Sequence, residues 1–302
     1  MKITAVVVTY NRLELLKQCL DALHSQTRPV DEIIVINNCS TDGTDSYLEQ
    51  IKTTHPEIKP TTLPSNVGGA GGFEAGIAIA VEQGADRVWI MDDDTLPTPT
   101  ALERLLAVSE SDPRIGFTCS RVDWTDGTMH LMNKPLFKGH RRPDTPIDKV
   151  TVPIECNAAT FVSLLVKREV IVKVGLPIGE YFIWHDDIEY TSRIVRAGWF
   201  GIYVPDSIVI HSTVRNLGAT IIDAPVGTEK RFYYQVRNQV ATKRMDKPAL
   251  IAAISNRLRL HRFKRAVNKR SDHREQFMEQ VFKGYRDGLR FNPTVHFAKV
   301  DK

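Results

Sequence analysis

The chain has 302 residues, of which 42% are apolar and 25% charged, with four cysteines and a net charge of +4. This suits one α/β domain with an appendage, or two small domains, and it is too apolar for a disordered chain. The charge is uneven: residues 251–302 hold 13 Lys and Arg against 5 Asp and Glu, a net of +8, which leaves −4 on the first 250. A basic tail of that kind is expected to meet an anionic partner. Cys19, Cys39, Cys119 and Cys156 form no CxxC pair, so reduced thiols are expected rather than a disulfide framework or a zinc site. There is no signal-peptide pattern at the start and no run of about 18 apolar residues, so a cytoplasmic protein without a membrane-spanning helix is expected.

In chain order, residues 3–9 are a β-branched run typical of a central parallel strand. Asn11 is expected to cap a helix over 13–25, with Leu16, Leu20 and Leu23 on one face. A second strand at 33–36 ends in a turn-rich loop, 37–44, that leads into a helix to about Lys52. A short strand at 61–63 precedes a glycine-rich segment, 66–76, then a helix to about Gln83 and a strand over 87–91. This alternation predicts βαβ units and a Rossmann-like, mostly parallel sheet, with ligands at the carboxyl ends of its strands. Farther on, 116–122 and 160–166 read as strands, 189–197 and 229–245 as helices, and 134–153 as a surface loop. The tail from Ala249 reads as one or two amphipathic helices.

Asp92-Asp93-Asp94 directly follows the fourth strand. Three adjacent carboxylates repel one another unless they are solvated or neutralised by a hard divalent cation such as Mg²⁺ or Mn²⁺. In an extended segment Asp92 and Asp94 face one side and Asp93 the other. The run Gly68-Gly69-Ala70-Gly71-Gly72 is neither a P-loop nor a GxGxxG fingerprint, but it allows close backbone approach just before a helix and is expected to touch a ligand. A second acidic cluster, Trp184-His185-Asp186-Asp187-Ile188-Glu189, reads both as the site of a general base and as an acidic helix start. His211, after a β-branched run, is either a structural histidine or a further metal ligand. Arg231, Tyr234 and Asn238 share a helical face, with Arg237 one position off, and suit phosphate or sugar hydroxyls, or simply a solvated face. Residues 257–265 interleave basic and apolar side chains, as a helix lying on an anionic bilayer does, and the chain carries no nucleic-acid motif.

Taken in order, Val7-Val8-Thr9-Tyr10-Asn11-Arg12, the loop 38–44, the segment 66–72, Asp92-Asp93-Asp94, His185-Asp186-Asp187-Ile188-Glu189, His211 and the stretch 233–238 resemble the family 2 glycosyltransferases of GT-A fold. The resemblance implies a catalytic domain over 1–245, with a nucleotide-sugar half over 1–95 and an acceptor half over 96–245, followed by a basic helical tail over 246–302. It implies that Thr9, Asn11, Arg12, Asn37, Asn38, Asp42, Asn66, Gly69, Gly71, Gly72 and Asp93 contact the nucleotide sugar. Asp92, Asp94 and His211 would hold Mn²⁺ or Mg²⁺, and Asp187 would be the base of an inverting displacement. Trp184, His185, Asp186, Glu189, Arg231, Tyr234, Arg237 and Asn238 would meet the acceptor or phosphates.

Within the family the segments look most like bacterial galactofuranosyltransferases, with polysaccharide rhamnosyltransferases close behind. The implied reaction moves galactofuranose from UDP-galactofuranose, or rhamnose from a dTDP donor, onto a lipid-linked or cell-surface polysaccharide such as an O-antigen. The protein would then sit peripherally on the inner face of the cell membrane through its basic tail, with oligomerisation left open. Asn37 stands where the family commonly has Asp, which weakens selectivity for the N3–H of uracil or thymine. A nucleotide-sugar-binding pseudo-enzyme or scaffold is the reading from another class, and the intact Asp92, Asp94 and Asp187 speak against it.

Overall fold

The computed structural model describes residues 1–137, 139 and 143–299. Strands β1 (Ile3–Thr9), β2 (Glu32–Asn37), β3 (Ile58–Thr62) and β4 (Arg87–Asp92) pair in parallel in the order β3-β2-β1-β4. Every residue of β1 and β2 is buried, as a strand covered by helices on both faces requires. Alternate side chains feed two layers. Val6, Val8, Ile34 and Ile36 join a core with α3 (Gly68–Glu82), while Ile3, Ala5, Val7, Ile33 and Val35 join one with α1 (Leu13–His24). The helix α2 (Thr44–Thr54) links β2 to β3.

Past β4 the sheet becomes mixed. β8 (Leu164–Lys167) lies antiparallel to both β4 and β6 (Ile115–Asp123), and β6 runs parallel to the long β9 (Phe200–His211). Two short strands, β5 (Thr95–Pro97) and β7 (Ile154–Cys156), pair antiparallel with β9. These strands and α5 (Arg168–Val174) are too short for a periodic pattern to reveal, whereas α4 (Ala101–Ser109) carries one, with Leu102, Leu105 and Leu106 buried on one face. The strand expected over 160–166 begins only at Leu164, because 161–163 turn instead. Among its described residues the loop expected over 134–153 carries an isolated bridge from Leu136 to Ala158 and a 3-10 turn at Ile147–Lys149; positions 138 and 140–142 lie outside them.

Two local expectations are corrected. Asn11 does not cap α1. Its backbone is left-handed (φ 53°) and its Oδ1 accepts from Thr41 N–H at 2.7 Å. The cap comes from the next loop, where Asp42 Oδ2 accepts Leu13 N–H at 3.0 Å and Asp42 Oδ1 accepts Thr44 N–H at 3.2 Å. The glycine-rich run is not a ligand-wrapping loop but the first two turns of α3. A Cβ at Gly72 would lie 2.6 Å from a Val8 methyl, and one at Gly76 2.4 Å from a Val6 methyl, so glycine there lets α3 lie directly on β1.

After β9, α7 (Glu229–Asp246), α8 (Ala249–Asn268) and α9 (Arg274–Gly288) pack around Phe232, Val236, Val240, Val267, Phe277 and Val281. This cluster extends to both sides of residue 245. The chain then returns to the sheet domain, where Leu176 N–H donates to His296 O at 2.8 Å and Phe291 and Val295 pack beside Ala70, Ile178 and Tyr181. Among the described residues no helix is long and apolar enough to cross a membrane.

Candidate active site

The carboxyl end of β4, the start of α6 (Asp186–Arg196) and one face of α7 enclose a cavity of about 420 Å³. Asp92 and Asp94 enter it from β4, and the β5–β9 pairing, with Thr95 opposite His211, brings His211 beside them. Asp92, Asp94 and His211 each offer a ligand atom within 4.8 Å of the others. His211 Nε2 stands 3.1 Å from Asp94 Oδ1, while its Nδ1 lies 2.8 Å from Asn133 Oδ1. Nδ1–H donating to Asn133 leaves the Nε2 lone pair for a cation, the usual arrangement of a ligating histidine and its support. His130 lies against the His211 ring at 4.7 Å, and burial together with His211 pushes it down to about 4, so it is neutral. Two carboxylates and an imidazole at this spacing fit Mn²⁺ or Mg²⁺.

The Arg12 guanidinium pairs with Asp94 and lies 3.4 Å from Asp93. Asp93 points away from the cavity, with Oδ2 3.4 Å from Tyr10 N, and burial raises its carboxyl to about 6. Burial and the Asp94 charge raise Asp92 as well. Burial acts in the same direction on Asp94, but His211 and Arg12 outweigh it and hold Asp94 below the ordinary range.

The second acidic cluster faces the same cavity. Asp186 and Asp187 both line it at the first turn of α6, whose N-terminus favours negative charge. Burial raises both carboxyls, helped by Asp187 at Asp186 and opposed by the Ile188 N–H bond (2.6 Å) at Asp187. Among the described residues neither has a cation within ion-pair reach. Glu189, expected at the acceptor or phosphates, differs from both. It is buried under α6, paired with Arg193 at 2.8 Å and Arg196 at 3.5 Å, and does not line the cavity.

The loop before α6 is strained, with Phe182, Trp184 and His185 all at positive φ. The α7 residues expected to touch ligand hold this loop instead. Asn238 Nδ2 donates to the carbonyls of Tyr181 (3.0 Å), Ile183 (3.2 Å) and Trp184 (2.8 Å). Arg237 Nη2 donates to those of Glu180 and Tyr181, and Tyr234 stacks on Phe182 with ring centres 4.9 Å apart. Of the four α7 positions only Arg231 lines the cavity, and burial and the Arg12 charge lower its affinity for its proton. Trp184 and His185 also line it.

Of the residues expected at the nucleotide, Arg12 and Gly69 line the cavity. Thr9 is buried at the end of β1, and Asn11 braces the neighbouring loop. Asn37 is fully buried: its Oδ1 accepts Ser40 N–H at 3.0 Å and its amide donates to Thr62 Oγ1 at 3.3 Å, so it does not face a base. Asn38 clamps the α3 entry through Val67 N–H and Gly68 O, both at 2.9 Å, and Asn66 Oδ1 accepts Gly68 N–H. Asp42 is the double cap described above. Gly71 packs on Val67 and Gly72 on Val8.

The sequence reading missed Asn133, Gln235 and Gln239, all of which line the cavity. Asn133 sits in a segment with no periodic pattern. Gln235 and Gln239 follow Arg231 at successive helical fours, a signal that was available.

Residues 4–172, more than half of the chain, match the family described as "Glycosyl transferase family 2". Over 204 residues the chain is 32% identical to "Galactofuranosyltransferase GlfT1" of Mycobacterium tuberculosis, covering 64% of each chain, so it spans somewhat under two thirds of that relative. It is 24% identical over 242 residues to the "N-acetylglucosaminyl-diphospho-decaprenol L-rhamnosyltransferase" of the same species, covering 70% of this chain and 76% of that one. Among solved structures, GalNAc-T7 with UDP, GalNAc and Mn²⁺ superposes with a TM-score of 0.63 at 15% identity, over 97% of this chain and 55% of that one. The mannosyltransferase PcManGT of Pyrobaculum calidifontis with GDP-Man and Mn²⁺ gives 0.56 at 19%, over 96% and 75%. The family match and the shared GT-A architecture lead to one assignment: the chain belongs to glycosyl transferase family 2.

Proposed function

We propose that the chain is an inverting, divalent-metal-dependent transferase that moves galactofuranose from UDP-galactofuranose to a lipid-linked polysaccharide acceptor. The observation that carries this reading is one cavity walled by two unlike acidic groups: Asp92 and Asp94 with His211 on one side, and Asp187 without a cation among the described residues on the other. Asp92, Asp94 and His211 would hold Mn²⁺ or Mg²⁺, which supplies charge stabilisation to the departing diphosphate. Arg12 and Arg231 add positive charge beside the same oxygens. Asp187 takes the proton of the acceptor hydroxyl as its oxygen bonds to the anomeric carbon and the bond from that carbon to the diphosphate breaks. The products are the glycosylated acceptor and a nucleoside diphosphate, with the anomeric centre inverted. Burial of Asp187 favours this role, because a raised pKa makes a carboxylate a stronger base.

The choice of galactofuranose leans on the 32% identical relatives, and dTDP-rhamnose is the second reading, leaning on the 24% identical one. Asn37 plays no part in that choice, since its amide is committed inside the fold. The test is calorimetric binding of UDP-galactofuranose, UDP-galactopyranose and dTDP-rhamnose, each with Mn²⁺ and with EDTA. Metal-dependent binding of UDP-galactofuranose alone is expected. Binding of dTDP-rhamnose alone would transfer the assignment to rhamnose, and no binding at all would favour a degenerate site.

A further inference from the structure

A second cavity, of about 450 Å³, opens between α7, α8 and the segment before α7, and shares Ala219, Gln235 and Gln239 with the active-site cavity. Its wall is apolar at Ile221, Leu258, Phe263 and Ala266 but carries two guanidinium groups, Arg259 and Arg262. Among the described residues no carboxylate lies within ion-pair reach of either. Arg259 Nη1 donates to Gln239 Oε1, while Arg259 Nε and Gln235 Oε1 are buried without a hydrogen-bond partner among the described residues. Burial and the Arg262 charge weaken Arg259's hold on its proton. Arg259 is partly buried without a counter-ion and feels the charge of the exposed Arg262, a placement that an anion joining both would relieve.

The outer face of α8 continues from this cavity. Leu250, Ile254 and Leu258 follow one another at helical fours, ending at Arg262, with Ile251 alongside. Leu250, Ile254, Leu258 and Ile251 are 73%, 56%, 57% and 53% exposed, respectively. The row from Leu250 to Arg262 is about 18 Å long at the α-helical rise. An apolar track that ends at two unpaired guanidinium groups matches a phosphate bonded to a long hydrocarbon, with the phosphate beside the reaction chamber.

We propose that the second cavity binds the phosphate groups of a prenyl-diphosphate-linked acceptor through Arg259 and Arg262, with the prenyl chain along Leu258, Ile254 and Leu250. This rests on the lipid-linked acceptor proposed above. Diphosphate bound there leaves the attached sugar to enter the catalytic cavity past Gln235 and Gln239.

The test titrates farnesyl diphosphate, inorganic pyrophosphate and farnesol into protein saturated with UDP and Mn²⁺, so that the catalytic cavity is already filled. Farnesyl diphosphate should bind at least about tenfold more tightly than either fragment, and Arg262→Gln should weaken it about tenfold, the scale of a lost charge-assisted bond. Arg262 is exposed, so this variant should keep its melting temperature and its affinity for UDP. A second variant, Ile254→Ser, should weaken farnesyl diphosphate but not pyrophosphate. Equal binding of farnesyl diphosphate by parent and Arg262→Gln, or equal affinity for pyrophosphate and farnesyl diphosphate, would overturn the proposal. Failure of the parent to bind UDP would instead overturn the reading of the catalytic cavity.

Discussion

The two acidic clusters that face the cavity differ in the partners that surround them. Asp94 is drawn below the ordinary carboxylate range by His211 and Arg12, whereas Asp92, Asp186 and Asp187 are raised by burial, the last two with no cation partner among the described residues. Two carboxylates converging with an imidazole are suited to holding a cation, and a buried carboxylate without a positive partner to taking a proton. Sequence spacing alone does not separate these roles, because both clusters read as runs of aspartates. The supporting residues separate them: Asn133 orients His211 toward Asp94, and Asn238 holds the strained loop that presents Asp187.

The largest test of this contrast is Asp187→Asn, which should lower transfer by about 10²–10⁴-fold while metal-dependent donor binding persists. Transfer at the parental rate, measured as released nucleoside diphosphate, would remove Asp187 from the base role. Next, Asn133→Ala should weaken metal affinity by about 10–100-fold by freeing the His211 ring, leaving the second cluster untouched. A metal titration of donor binding checks this. Asn238→Ala acts on the other side. It strips a donor from three carbonyls and should cost about 1–3 kcal/mol of stability, read as a lower melting temperature. Its effect on transfer should exceed its effect on donor binding. The smallest effect is in pH. Asp187 must be ionised to act, and burial raises its pKa, so transfer should fall as pH drops through a value above the ordinary 3.9 or so of aspartate.

The parallel half of the sheet was legible because β1, β2 and β4 are covered on both faces and so are written as continuous apolar runs. The mixed half was not, since β5 and β7 have three residues each and owe their pairing to β9. Asp92, Asp94, His211 and Asp187 were all legible in an ordered motif, and the fold brings these four to one cavity while Asp93 turns away. The glycine run was misread as a loop, although its Gly69 does line the cavity, because its composition describes two things equally well, a ligand loop and a helix that must touch a strand. Only the approach of Gly72 and Gly76 to Val8 and Val6 distinguishes them. The roles of Asn238, Arg237 and Glu189 were misplaced because a polar residue on a helix does not announce whether it faces solvent, ligand or another backbone. Asn133 had no sequence signal, since an orienting residue is defined by the neighbour it orients.

The most direct measurement is an anomalous difference map from crystals grown with Mn²⁺ and UDP. The account predicts one strong peak within about 2–2.5 Å of oxygens from Asp92 or Asp94 and of His211 Nε2, with none at Asp186 and Asp187. A peak between Asp186 and Asp187, or none at the first cluster under saturating metal, would contradict the division of roles between the two clusters.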